Sequence, residues 1–141
     1  MLQRYSFTAF FTKHLLYLHI MKKVAVQGFA GCFHEQAAME FYRGLGVEDI
    51  TILECETFDA EFRAIDAPEG TPESADALVI AVENTLSGGL IPNFELLRKC
   101  GHRIKGEIFL RIEQNLMALP GQRLEDIKEV RTHYMAINQT R

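Results

Sequence analysis

The sequence predicts an α/β fold, and three observations carry that prediction. Strand-like and helix-like segments alternate from Val24 onward. Ala77–Val82 is an unbroken apolar run, the mark of a strand buried on both faces in a parallel sheet covered by helices. Glycine-containing loops follow two of the strands, where a sheet of this kind binds its ligands.

The elements follow in order. Val24–Gln27 is a short apolar strand that Gly28 ends. Across residues 33–43, Phe33, Ala37 and Phe41, flanked by Ala38 and Tyr42, form one helical stripe that stops at Gly44 and Gly46. Ile50–Leu53 is a second strand. Thr57 is placed to cap a helix over 58–65, with Phe58, Phe62 and Ile65 on one face. A Pro- and Gly-bearing surface loop (67–72) leads to the apolar strand at 77–82. A helix is expected over 89–99 and a long strand over 103–112. Leu116–Leu119 reads as a strand closed by the Pro120-Gly121 turn, a further short strand ends at Val130, and 133–140 reads as helix.

Residues 1–20 stand apart. They hold no Asp or Glu, and Ser6, Thr8, Thr12, Lys13 and His14 interrupt their apolar runs. They lack a small-x-small cleavage site before Met21 and are too polar in the middle for a membrane span. The expectation is an atypical N-terminal extension, with Met21 as the functional start. The whole chain of 141 residues carries 15 Lys+Arg against 19 Asp+Glu, a net charge of -4. Such a balance disfavours nucleic acid as a partner, because phosphate binding needs a basic face. No membrane partner is expected. Three widely spaced Cys point to a reducing compartment rather than a disulfide framework.

Two loops hold the candidate chemistry. In Gly28–Phe33 small residues let a backbone approach an anion, and a helix N-terminus follows. A dinucleotide reading with Glu54 as ribose acid lacks the G-x-G-x-x-G fingerprint. The second loop, Glu83-Asn84-Thr85-Leu86-Ser87-Gly88-Gly89, sets a carboxylate, an amide and two hydroxyls after the buried strand. Buried polar groups of this kind require partners, which a ligand can supply. The plainer alternatives are a tight turn for the first loop and helix capping for the second. Two loops of one geometry favour a site for a small anion.

Other candidates are weaker. Cys32-x-His34 and Cys100-x-His102 depart from zinc spacings, so no metal is expected. Cys32 at a helix N-terminus has the placement of a nucleophile but no assigned His–Asp partner. His133 opens a predicted helix and is a lone candidate.

Taken together, VAVQGFAGCFHEQAA (24–38), VIAVENTLSGGLIPNFELL (79–97), IKGEIFLRIEQNLMALPGQ (104–122) and IKEVRTHYMAINQ (127–139) resemble the prephenate dehydratases. The resemblance implies a two-lobed, periplasmic-binding-protein-like α/β fold. Residues 21–112 would form a nearly complete first lobe, and 113–141 would begin the second. It also implies conversion of prephenate to phenylpyruvate, carbon dioxide and water in phenylalanine biosynthesis. The setting would be the cytoplasm, with no metal or organic cofactor and with homo-oligomers of the full-length protein. Gly31, Cys32 and Phe33 would line the cleft, and Glu83, Asn84, Thr85, Ser87, Gly88 and Gly89 would supply contacts to substrate. Asn84 and Thr85 would support catalysis. The family usually has Ser at Cys32 and at Thr85, a Ser-His-Pro-like stretch at Thr132-His133-Tyr134 and a Gln-Cys pair at Gln139-Thr140. Its Thr-Arg-Phe motif, which carries the main catalytic threonine, is not found here, nor is a phenylalanine-binding ACT domain. The expectation is therefore an incomplete catalytic region with little or no turnover and with exposed apolar surface. The alternatives are a non-catalytic lobe that binds small carboxylates and a solute-binding module.

Overall fold

The computed structural model describes residues 4–11, 22–86, 88–133, 136–137 and 140. In chain order the elements are β1 (Arg4–Phe11), β2 (Lys22–Gln27), α1 (Phe33–Gly44), β3 (Ile50–Cys55), α2 (Phe58–Asp66), β4 (Ala77–Asn84), β5 (Gly88–Gly89), α3 (Ile91–Lys99) and β6 (Arg103–Arg111). The chain divides into two compact units, Met1–Arg111 and Ile112–Arg141.

The first unit is a mixed sheet in the order β3-β2-β4-β1-β6, with β5 paired to β4. β2 runs parallel to β3 and to β4, as βαβ crossovers through α1 and α2 require. β1 is antiparallel to both β4 and β6, so the sheet is not wholly parallel as expected from the apolar run of β4. Along β4 every residue from Ala77 to Val82 is buried, which is what that run predicts for a central strand.

Alternation along the strands sends side chains to two cores. Ala25, Leu78, Ile80 and Val82 pack with Cys55, Phe62 and Ile65, with Leu96 and Leu97 of α3 at the margin. The alternate residues Val24, Val26, Val79 and Ala81 are equally buried, and so are Ala37, Ala38 and Tyr42 of α1. Helices α1 and α2 begin where the sequence provides a cap. Thr57 Oγ1 accepts the Ala60 amide at 3.2 Å, and Cys32 in extended conformation caps α1.

Several expectations need correction. Residues 4–11, read as part of an extension outside the fold, form a strand within the sheet. Ser6 does not interrupt the strand; it is buried beside Phe7 where the ladder to β4 shifts register. The helix expected over 89–99 begins at Ile91, because Gly88 and Gly89 are taken up by pairing with β4. Leu116–Leu119 and the segment ending at Val130 are not strands; Leu116, Met117, Leu119 and Val130 are exposed, and a strand needs a partner to exist. The helix expected over 133–140 falls partly outside the described residues, with 136–137 helical. In the second unit the Pro120-Gly121 turn is present, with Gly121 at φ 87°, followed by a single 3-10 turn at Leu124–Asp126.

Candidate active site

The two loops singled out above follow β2 and β4, which are adjacent and parallel. Both therefore lie at carboxyl ends of neighbouring strands. They do not end at one level. The register sets Val26 beside Val79, so β4 continues four residues past the level of Gln27, about 13 Å at the usual strand rise.

The first loop is a tight turn built by two glycines. Gly28 has φ 119° and Gly31 has φ 84°, conformations that disfavour a side chain. A Cβ on Gly28 would stand 3.0 Å from Cys32 Sγ, so the thiol packs where only glycine leaves room. The Gly28 amide donates to Cys55 O at 2.9 Å, fixing the loop to the end of β3. Cys32 Sγ accepts the Glu35 amide at 3.5 Å and donates to Gln27 O at 3.6 Å. The thiol is thus a cap and a loop clasp. Phe33 begins α1 half-buried, whereas Phe29 at the turn's tip is exposed.

Two amides of this loop are held by carboxylates of the chain itself. Ala30 donates to Glu54 Oε1 at 2.7 Å, and Gly31 donates to Glu35 Oε2. The turn therefore binds carboxylates, as its geometry predicts, and Glu54 serves it in place of the weighed ribose contact.

The second loop folds back as a hairpin. Asn84 pairs with Gly88 and Glu83 with Gly89, and Gly88 supplies φ 73°. Asn84 is wholly buried, and its Oδ1 accepts the Leu86 amide at 2.8 Å. Glu83, Thr85, Gly88 and Gly89 are exposed. Ser87 lies outside the described residues. None of these residues caps α3, whose N-cap is Leu90 with Pro92 in the first turn. A Cβ on Gly89 would meet the Phe94 ring at 3.2 Å, so hairpin and helix pack closely.

Two buried polar side chains and the half-buried His34 near the strand ends carry environments that the sequence does not announce. Asn93 in α3 is 2% exposed and donates from Nδ2 to Ala81 O at 2.7 Å. Glu61 in α2 is fully buried, with neither carboxyl oxygen hydrogen-bonded to a side chain or backbone group at good geometry. Burial pushes its carboxyl well above the ordinary 4.5, and the nearby Gln27 amide opposes that only in part. Glu61 in turn helps burial raise the Cys55 thiol to about 11. His34 in the first turn of α1 meets Phe7 and Phe58 edge-on, with ring centroids 5.2 and 5.5 Å away. Burial lowers His34 to about 4, so it is neutral near pH 7. A single Glu or His inside an amphipathic pattern gives no local sign of burial; the register of α2 against β2 is what buries Glu61.

The remaining candidates are accounted for locally. Cys100 donates from Sγ to Leu97 O at 3.1 Å, and His102 Nε2 sits 2.8 Å from Asp66 Oδ1. Among the described residues no group of three His, Cys, Asp or Glu is placed to hold a metal. His133 is exposed. Among the described residues no helix is long and apolar enough to cross a membrane. An open cleft of about 790 Å³ lies in the second unit among Asn115, Met117, Lys128 and Thr132, and holds none of the predicted binding residues. A second of about 570 Å³, between β3 and α2, has Glu54, Arg63 and Glu73 on its wall. Neither outranks the loops, because neither brings together groups with a chemical task.

The prephenate dehydratase family model matches residues 24–141. Among curated relatives, arogenate dehydratase 4, chloroplastic, of Arabidopsis thaliana is 33% identical over 118 residues, 84% of this chain and 26% of its own length. Arogenate dehydratase 2 of Petunia hybrida is 33% identical over 117 residues, 83% of this chain and 27% of its own. Arogenate dehydratase/prephenate dehydratase 2, chloroplastic, of Arabidopsis thaliana is 32% identical over 117 residues, 83% of this chain and 28% of its own. The chain spans about a quarter of the length of these relatives. No solved structure matches it. With the match running unbroken from the first parallel strand onward, this chain belongs to the prephenate dehydratase family.

Proposed function

We propose that the chain carries part of the substrate site of a phenylalanine-biosynthesis dehydratase and binds prephenate or arogenate as a small carboxylate. One observation supports this above the rest: the loop Gly28–Cys32, inside the family match, directs its amides at carboxylates. In this reading Ala30, Gly31 and the first turn of α1 anchor a substrate carboxylate. The exposed Thr85 hydroxyl on the second loop stands for proton donation to the departing ring hydroxyl. Loss of that hydroxyl as water and of the ring carboxylate as carbon dioxide aromatises the ring. The carboxylate that leaves is best held loosely, because only contacts that strengthen in the transition state speed the reaction. Buried Asn84 acts on the site by shaping the turn that presents Thr85.

Binding without efficient turnover is the expected behaviour of this chain. Titration calorimetry with prephenate and with arogenate should give heat for the parent and none for Gly31→Val, because a β-branched residue is strained at φ 84°. Absence of heat with both ligands removes the reading. Phenylpyruvate formation from prephenate is expected at or near background, and vigorous turnover would replace the binding-only form of this proposal with a complete enzyme. The cytoplasmic setting belongs to the same proposal, and fractionation of the expressing cell tests it.

A further inference from the structure

The glycine turn after β2 gathers two carboxylates from different elements on consecutive amides. Glu54, from β3, accepts the Ala30 amide through Oε1 at 2.7 Å, and Glu35, from the first turn of α1, accepts the Gly31 amide through Oε2. Each contact uses one oxygen. The others, Glu54 Oε2 and Glu35 Oε1, have no donor among the described residues. Neither side chain belongs to an ion pair among the described residues, and Arg63, which shares a cleft wall with Glu54, makes none with it. Beside them the Phe33 and His34 amides, at the start of α1, have no acceptor among the described residues.

One end of α1 thus presents free amide donors next to two carboxylates without a cation. That is the complement of an α-amino acid head group, whose carboxylate suits the amides and whose ammonium suits the glutamates. The two substrates considered above differ at this group alone. Prephenate carries a ketone on its side chain where arogenate carries an ammonium. A ketone oxygen facing Glu54 and Glu35 only accepts, as they do, so the contact has no proton to share. An ammonium brings three donors and the opposite charge.

We infer that Glu54 and Glu35 are specificity-determining residues that select arogenate over prephenate by pairing with its ammonium, an inference that rests on the substrate site proposed above. Both glutamates keep their turn amides in doing so. The ammonium meets their outer oxygens, and the side-chain carboxylate of the ligand meets the Phe33 and His34 amides.

Titration calorimetry on the whole chain tests this with both substrates and two variants. Glu54→Gln and Glu35→Gln keep an acceptor oxygen for the turn and remove its charge. The parent should bind arogenate at least fivefold more tightly than prephenate. Each variant should lose about fivefold in arogenate affinity, the scale of an exposed ion pair, with prephenate affinity unchanged or higher. L-Phenylalanine has the same head group without the ring carboxylate and should bind more weakly than arogenate. Equal binding of the two substrates by the parent, or a preference for prephenate, overturns the inference and leaves the substrate site standing. So do variants that weaken both substrates alike, since the glutamates then only shape the turn. L-Phenylalanine bound as tightly as arogenate overturns the assignment to arogenate. No heat with either substrate removes the substrate site and this inference together.

Discussion

Glu54 Oε1 accepts the Ala30 amide at 2.7 Å, so a carboxylate from β3 occupies a donor of the glycine turn that follows β2. Any ligand carboxylate that needs this amide competes with a tethered one, and approaches against its negative charge. Glu54→Ala should therefore tighten prephenate binding, by about 1 kcal/mol or roughly fivefold for one released hydrogen bond. Calorimetry on parent and variant reads the difference directly. Equal or weaker binding by the variant would show that Glu54 holds the loop in shape and does not compete for it.

Glu61 predicts a gain in stability on removal. A neutral, fully buried carboxyl without good partners costs on the order of 1–3 kcal/mol, and Glu61→Leu should recover much of that in the melting temperature. The pH dependence has a definite sign. The folded state keeps a proton that the unfolded chain releases above about 4.5. The contribution of this group is therefore complete below that pH and is lost as pH rises through the elevated folded value. Urea unfolding of parent and variant across this range should show that alkaline-going loss only in the parent.

His34 works in the opposite direction. Its folded value is about 4 against 6.5 in the open chain, so stability from this group is present above 6.5 and lost as pH falls through 4. His34→Leu should flatten the acid limb of the stability curve while keeping an apolar contact to Phe7 and Phe58. An unchanged acid limb would mean that the imidazole reaches solvent when it protonates.

Asn93 bridges α3 to the central strand. Asn93→Ala should destabilise by about 1–3 kcal/mol through loss of the 2.7 Å bond to Ala81 O, with little effect on the first loop. Asn93→Asp should cost more, because it sets a second acceptor against the carbonyl. Thermal melts of the two variants, ranked against each other, test the geometry rather than mere burial.

The elements most legible in the sequence are those whose local signals agree with their packing. Thr57 caps α2 as expected, Ala37, Ala38 and Tyr42 form the buried stripe of α1, and Ala77–Val82 lies at the sheet's centre. β1 was hidden because polar residues within an aromatic stretch read as breaks until a partner strand gives the alternation meaning. Leu116–Leu119 erred the other way, since apolar residues alone do not make a strand without a ladder to join. At the candidate site the glycines and Cys32 were readable from spacing. Glu54 on the Ala30 amide is not, because that contact depends on the β2–β3 register and no local pattern encodes it. Glu61 and Asn93 were missed for the same reason.

The position of β1 also bears on the order in which the molecule is made. β2, β3 and β4 pair with neighbours close behind them, so this parallel core can assemble while synthesis continues. β1 leaves the ribosome ahead of these strands, yet half of its ladder is β6, and Arg4 must wait for Arg111. Closure of the sheet is then a late event spanning the whole first unit, the kind of long-range pairing that slows folding. Until it happens, β1 is unpaired on one side and the nascent chain is most exposed to its neighbours on a polysome.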